Sequence, residues 1–262
     1  MSSEDFPFEQ IPPLSLVVTN VIRFDHTDPD ASIESLQQLI APDKGISAEI
    51  LKIANSALYG RSGKIKTLKE AITLLGVRTV KNIVLLLTTK SLSGRLNQPI
   101  FDSYLRTWPI LSALVALDLC NPLGHRSMRD EAFLAGLMHK IGMTVIGLNR
   151  PAEYGDLLRA FEAEGGLGGS LRERELAAFG IDHCSVGARV FEMWKMPADL
   201  LTVVHDHDFA PANIAAQADI LRITALGGLL SRRLMNLALS PDEEELVAAI
   251  PAHYGVGEDT MA

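Results

Sequence analysis

Apolar residues in this chain return every three or four positions and almost nowhere alternate, which constrains the chain to helices. In "SIESLQQLI" they are Ile33, Leu36, Leu39 and Ile40; in "ISAEILKIAN" they are Ile46, Ile50, Ile53 and Ala54. Each set lines one helical face. Helix starts are marked as well. "TLKE" (Thr67 to Glu70), "SLRE" (Ser170 to Glu173) and "SPDE" (Ser240 to Glu243) set a hydroxyl and a carboxylate three residues apart. Each oxygen can accept a backbone N–H that the first turn leaves unpaired. Pro241 falls at a first helical position, where a missing N–H costs nothing. Gly76 and Gly180 follow apolar runs and suit helix C-termini. "VRTVKNIVLLLTTKSL" holds a strand-like "IVLLL", but the capped segment before it and the polar Arg78, Lys81 and Asn82 favour a helix. Pro109, within "SYLRTWPILSALVALDL", predicts a helix that begins near Thr107 or kinks there, because an interior proline costs about 3 kcal/mol. The fold class read from these patterns is all-α.

The 262 residues allow one large domain or two smaller ones, and 47% apolar with 21% charged residues is ordinary globular composition. Cys120 and Cys184 alone make no disulfide framework. The apolar runs read as shorter than the roughly 18 residues of a membrane span. The start, "MSSEDFPFEQIPP", lacks the basic residues and apolar stretch of a secretion signal. A cytoplasmic location with no membrane partner is the expectation. Net charge −8 argues against a general nucleic-acid binder, and no helix-turn-helix or zinc pattern is present. The charge is uneven, however. Arg61 to Arg95 carries eight basic residues against Glu70 alone, a local charge of +7. It reads either as solvated helix faces or as a docking surface for an acidic partner or a phosphate, with Lys64, Lys66, Lys69, Arg78 and Lys81 as candidates. "SGRLNQPIFD", residues 93 to 102, reads as a linker. "EGGLGGS" reads as a flexible loop; it lacks the preceding strand and following Lys-Ser/Thr of a phosphate-cradling loop.

Seven histidines are present: His26, His125, His139, His183, His205, His207 and His253. His139 closes the apolar run "FLAGLMHKIGM", His183 follows Asp182 in "GIDHCSVGARVFEMWKMP", and His205 and His207 lie in "LLTVVHDHDFAP". With "IPPLSLVVTNVI", "ILKIANSALYG" and "TLKEAITLLGVRTVKNIVL" before them, these segments resemble in content and order the HDOD family, a branch of the HD-domain superfamily. The resemblance covers roughly residues 11 to 235, nearly all of the chain. It implies an all-α fold with an N-terminal helical part, residues 1–97, joined to an HD-like helical part, residues 98–262. It also implies a stand-alone module of bacterial signal transduction, generally without a demonstrated reaction.

Enzymes of the superfamily hold metal ions with a histidine, a His-Asp pair, often further histidines and a late aspartate. The metal lowers the pKa of a bound water that then attacks a phosphoester. Trp108 stands here in the place of the first histidine, Lys140 in that of the aspartate after His139, and Ala225 near that of the late aspartate. Asp219 lies about a turn and a half earlier and would point elsewhere. His183 and His205 match later histidines. An ammonium 4 Å from a divalent ion is repelled by about 8 kcal/mol at an effective dielectric of 20. The resemblance therefore implies a degenerate site, with no metal, no cofactor and no reaction. Two readings of Lys140 stay open: it fills the metal's place and pairs with Asp206 or Asp182, or it is a surface lysine suited to a helix C-terminus. The expected function is a non-catalytic regulatory module working through a signalling protein partner. The alternatives are a nucleotide sensor using His139, Lys140, His183, His205 and Asp206, and a metal-dependent phosphohydrolase.

Overall fold

The computed structural model describes residues 11–25, 28, 31–56, 64–165, 170–237 and 239–257, and among them there are helices and turns but no strand. His26, Arg61, residues 57–60 of "ILKIANSALYG" and residues 166–169 of the glycine-rich loop lie outside the described residues. The chain forms two compact units. One is Pro13–Ser91; the other holds Pro12 and the chain from Leu92 onward.

The first unit contains α1 (Leu16–Arg23), α2 (Ile33–Ile40), α3 (Lys44–Ala54), α4 (Leu68–Leu75) and α5 (Val77–Ser93), the last reaching just past the unit's edge. Ser15, Ser32, Asp43 and Thr67 each accept a backbone N–H at the start of α1 to α4. Thr67 and Glu70 form the reciprocal box foreseen in "TLKE". Leu36, Ile40, Ile50 and Ala54 are fully buried, as the spacing requires. Gly76, at φ +83°, lets α4 and α5 meet at 110°. The strand-like "IVLLL" is helical, inside α5.

The second unit runs α6 (Pro99–Phe101), a π-helical turn (Asp102–Thr107), α7 (Trp108–Leu119), a 3₁₀ turn (Arg126–Met128), α8 (Arg129–Met138), α9 (Ile141–Asn149) and α10 (Pro151–Ala163). It continues with α11 (Leu171–Phe179), α12 (His183–Met193), α13 (Ala198–Asp206), a 3₁₀ turn (Pro211–Ala216), α14 (Asp219–Leu234) and α15 (Pro241–His253). Pro109 is accommodated as its chemistry demands. It sits in the first turn of α7, and the wider turn before it sends the Trp108 N–H back to the Ser103 carbonyl. Ser170–Glu173 and Ser240–Glu243 form reciprocal boxes, and Gly180 ends α11 in the left-handed conformation at φ +73°. One expectation changes. Arg126–Asn149 is long and apolar enough to cross a membrane, but 89% of its most apolar window is buried within the fold, so it is a core element.

Two close crossings position the site. α7 packs against α8 and α14. A Cβ on Gly136 would lie 2.7 Å from the Ser112 carbonyl oxygen, and one on Gly227 would lie 3.0 Å from the Ala116 Cβ. α9 crosses α12 with still less room: a Cβ on Gly142 would overlap the His183 carbonyl oxygen. That contact sets Lys140, two residues before Gly142, beside His183. Gly142→Ala is expected to destabilise the protein by about 3 kcal/mol or more, because the obstacle is backbone that cannot rotate away. Leu176→Ala, at a position 45% exposed, is expected to change stability by no more than about 0.5 kcal/mol. Denaturant titration compares the two; a Gly142→Ala midpoint equal to that of the wild type would show that the crossing is loose.

Candidate functional site

α8 ends at Met138, His139 follows it, and Lys140 opens α9. This short break turns both side chains into the core: His139 is 1% exposed and Lys140 5%. The Lys140 ammonium lies 3.1 Å from His183 Nε2, 2.8 Å from His207 Nε2 and 3.4 Å from Asp208 Oδ1. Its Nζ is also 4.9 Å from the centre of the Trp108 ring. A lysine has three N–H donors, and here they meet three acceptors and an aromatic face. Lys140 is therefore not a surface lysine.

The imidazoles are oriented from behind. His183 Nδ1 is 2.5 Å from Glu175 Oε2, which also accepts the His183 backbone N–H at 2.8 Å. Glu175 is fully buried, and its other oxygen accepts from the Tyr154 hydroxyl at 2.6 Å. His207 Nδ1 donates to the Val204 carbonyl at 2.9 Å, and His139 Nδ1 to the Gly136 carbonyl at 2.8 Å. The Nδ1 contacts turn the Nε2 atoms of His183 and His207 toward the ammonium.

Burial and the Lys140 charge hold His139 down to about 3 and push His207 well below the usual histidine range. Burial works against the Asp208 carboxylate, but Lys140 and His207 keep its pKa well below the usual value. At His183 burial again disfavours charge, while Cys184 and Glu175 pull its pKa upward. Burial raises the Cys184 thiol, and the carboxylates against the His183 ring are Glu175 at Nδ1 and Asp208, 3.6 Å from Nε2.

The sequence-predicted residues divide. His139, Lys140 and His183 converge. His205 and Asp206 do not: they are 48% and 47% exposed and pair with each other at 2.6 Å. His207 and Asp208 occupy the pocket in their stead, so the placement of His205 and Asp206 there is corrected. The reason is helical phase. Leu200, Val203 and Val204 mark the buried face of α13, and His207 continues that face at i+3 and i+4, whereas His205, five residues past Leu200, lies about 140° round the helix from it. Asp182, the other carboxylate considered for Lys140, caps α12 through the Ser185 N–H and pairs with Arg172 at 2.6 Å. Lys140's carboxylate is Asp208. Asp219 lies at the start of α14, paired with Arg222 and the Tyr254 hydroxyl.

A cavity of about 280 Å³ adjoins the cluster, lined among others by Trp108, His139, Lys140, His207, Asp208 and Ala225. The sequence profile of the HDOD domain matches residues 11–209, three-quarters of the chain and every polar residue of the cluster. This chain belongs to the HDOD domain family.

Solved structures with this fold include an HDOD domain protein with unknown function from Geobacter sulfurreducens, with TM-score 0.72 and 22% identity, covering 88% of this chain and 75% of that one. A protein from Marinobacter aquaeolei with a signal-transduction name gives TM-score 0.76 and 24% identity, covering 99% of this chain and 56% of that one. One from Shewanella amazonensis with a phosphohydrolase name gives 0.68 and 19%, covering 95% and 87%. In sequence, an uncharacterized protein from Treponema pallidum is 23% identical over 210 residues, 79% of this HDOD chain; the chain spans 38% of that relative's length. Three of the residues that the sequence resemblance sets in metal-binding places bring no ligand. Trp108 offers an indole that already donates to the Gly228 carbonyl at 3.0 Å, Ala225 offers no ligand, and Lys140 offers a positive charge.

The buried neutral histidines have a measurable consequence. The unfolded chain protonates His139 below about pH 6.5, while the folded chain does not until about pH 3. Between those values the unfolded state binds more protons, so stability falls as pH falls. His139→Gln removes one such proton, and its stability is expected to fall less steeply between pH 6 and 4, by up to about 1.4 kcal/mol per pH unit. Denaturant titrations at three pH values test it; equal slopes would mean that His139 is not held neutral.

Proposed function

We propose that this chain is a non-catalytic regulatory module of bacterial signal transduction that works in the cytoplasm by contact with a protein partner. The observation that carries the reading is Lys140, whose buried ammonium makes its hydrogen bonds where the superfamily's enzymes have a carboxylate and its metal ion. An ammonium at that point repels a divalent ion, so the polar groups around it serve to hold α9, α12 and the end of α13 together. The Marinobacter protein's signal-transduction name agrees in kind. The Shewanella protein's phosphohydrolase name points to the enzyme reading, and Trp108, Lys140 and Ala225 weigh against that reading here.

The basic segment supplies the surface for the partner. Lys64, Lys66, Lys69 and Arg78 are exposed, and Lys69 pairs with Glu34 at 2.6 Å. Lys81 donates to the Phe24 carbonyl at 2.6 Å and so serves the fold of its own unit. Lys64, Lys66 and Lys69, at the entry to α4, are the residues assigned to an acidic face of the partner. Replacing all three by alanine is expected to lower recovery of a specific partner from the source cell about tenfold at low salt, and less at high salt, without lowering the melting temperature. Unchanged recovery would remove the docking surface from the proposal.

A nucleotide sensor has less support. The cations around the cavity already face carboxylates: Lys140 faces Asp208, Arg172 pairs with Asp182, and Arg232 pairs with Glu243. A phosphate would have to displace them. Calorimetry with common nucleotides and cyclic dinucleotides, at about 100 μM protein, is expected to show no binding heat. A saturable signal would favour the sensor.

A further inference from the structure

Helix α15 packs against α14 and the 3₁₀ turn Pro211–Ala216. Glu243 pairs with the buried Arg232. Leu246 and Ile250 enter one buried cluster with Leu119, Ile214, Ile223 and Leu226. The Tyr254 hydroxyl, just past the helix, donates to Asp219 at 2.8 Å and accepts from Arg222 Nε at 2.8 Å. Glu243, Leu246, Ile250 and Tyr254 stand at i, i+3, i+7 and i+11. At roughly 100° per residue they fall within about 80° of one another, a single stripe. A helix laid in a groove is recognised through anchors at spacings of this kind.

The hold on α15 is slight. Of its 13 residues only Leu246, Ile250 and Pro251 are buried. Pro251 has no N–H for the Val247 carbonyl, so the last turn lacks a bond. Glu244 and Arg233 pair where each is about half exposed, and an exposed pair contributes little. A helix with few buried apolar contacts and exposed polar ties opens locally more readily than the core beneath it. Undocking α15 would bare Ile214, Ile223 and Leu226. It would also remove Asp242, Glu243 and Leu246 from the wall of the Lys140 cavity.

We propose that α15 covers in cis a groove that receives in trans an amphipathic helix of a partner protein. That helix carries a carboxylate, two aliphatic residues and a tyrosine at i, i+3, i+7 and i+11. The groove matches it along its length. Arg232 and Arg233 stand at one end, Ile214, Ile223 and Leu226 along the middle, and the Arg222–Asp219 pair at the other end. α15 is then an autoinhibitory cover. The partner helix binds only molecules from which α15 has lifted, so its apparent affinity scales with their fraction. This surface lies on the second unit, and its assignment does not rest on Lys64, Lys66 and Lys69 of the first.

The test uses the full chain and a labelled peptide of residues 239–257. By hydrogen-exchange mass spectrometry, α15 amides of the wild type should exchange about tenfold faster than those of α14, or more. Fluorescence anisotropy then follows peptide binding. Tyr254→Phe in the chain loosens the resident helix and leaves the groove intact. It should bind the peptide about tenfold more tightly than the wild type does. A peptide with Leu246→Asp and Ile250→Asp should not bind. An alanine-and-glutamine helix that keeps only the four anchors should compete with the native peptide. The proposal is overturned if α15 is protected as long as α14, or if Tyr254→Phe binds the peptide no better than the wild type. Equal binding of the aspartate peptide, or an anchor-only helix that fails to compete, also overturns it. Tyr254→Phe dimers that exclude the peptide would give the groove to α15 of a second copy and overturn the partner assignment. Loss of the contact proposed at Lys64, Lys66 and Lys69 would leave all these results unchanged.

Discussion

A buried ammonium with three matched acceptors is the interaction on which the second unit depends. Burying a lone lysine charge is costly, and here the cost is met by two imidazoles, a carboxylate and the Trp108 ring. Those partners come from α7, α12 and the end of α13, so one side chain ties together elements far apart in sequence. The imidazoles can accept only because Glu175, Val204 and Tyr154 hold them from outside. Truncating any layer would leave another buried polar group without its partner.

The helices were legible because their signals are local. Capping boxes at Thr67, Ser170 and Ser240, and the burial of Leu36, Ile40, Ile50 and Ala54, follow from spacings of three and four. The pocket was half legible. His139, Lys140 and His183 could be named, but "HDHD" offered two histidines and two aspartates in a row. The phase that decides between them was available in Leu200, Val203 and Val204, which carry the buried face on to His207. Long segment resemblance favoured His205, and the helical phase overrides it.

Glu175 was not legible at all. In "LRERELAAF" it stands among charged residues and reads as part of a solvated face. Its neighbour one turn back, Leu171, is the only other buried residue of α11 among the described residues, so the helix presents one narrow edge inward. Nothing local says that a carboxylate belongs on that edge. The reason lies 8 residues ahead in His183 and 21 behind in Tyr154, and only the tertiary fold joins them.

The contact of Gly142 with the His183 carbonyl has a consequence beyond stability. It fixes the origins of the Lys140 and His183 side chains by backbone against backbone, before any side chain has made a bond. The socket is thus machined independently of its plug. The places of residues 140 and 183 are therefore set whatever side chain stands at position 140, because the crossing that fixes them rests on a glycine.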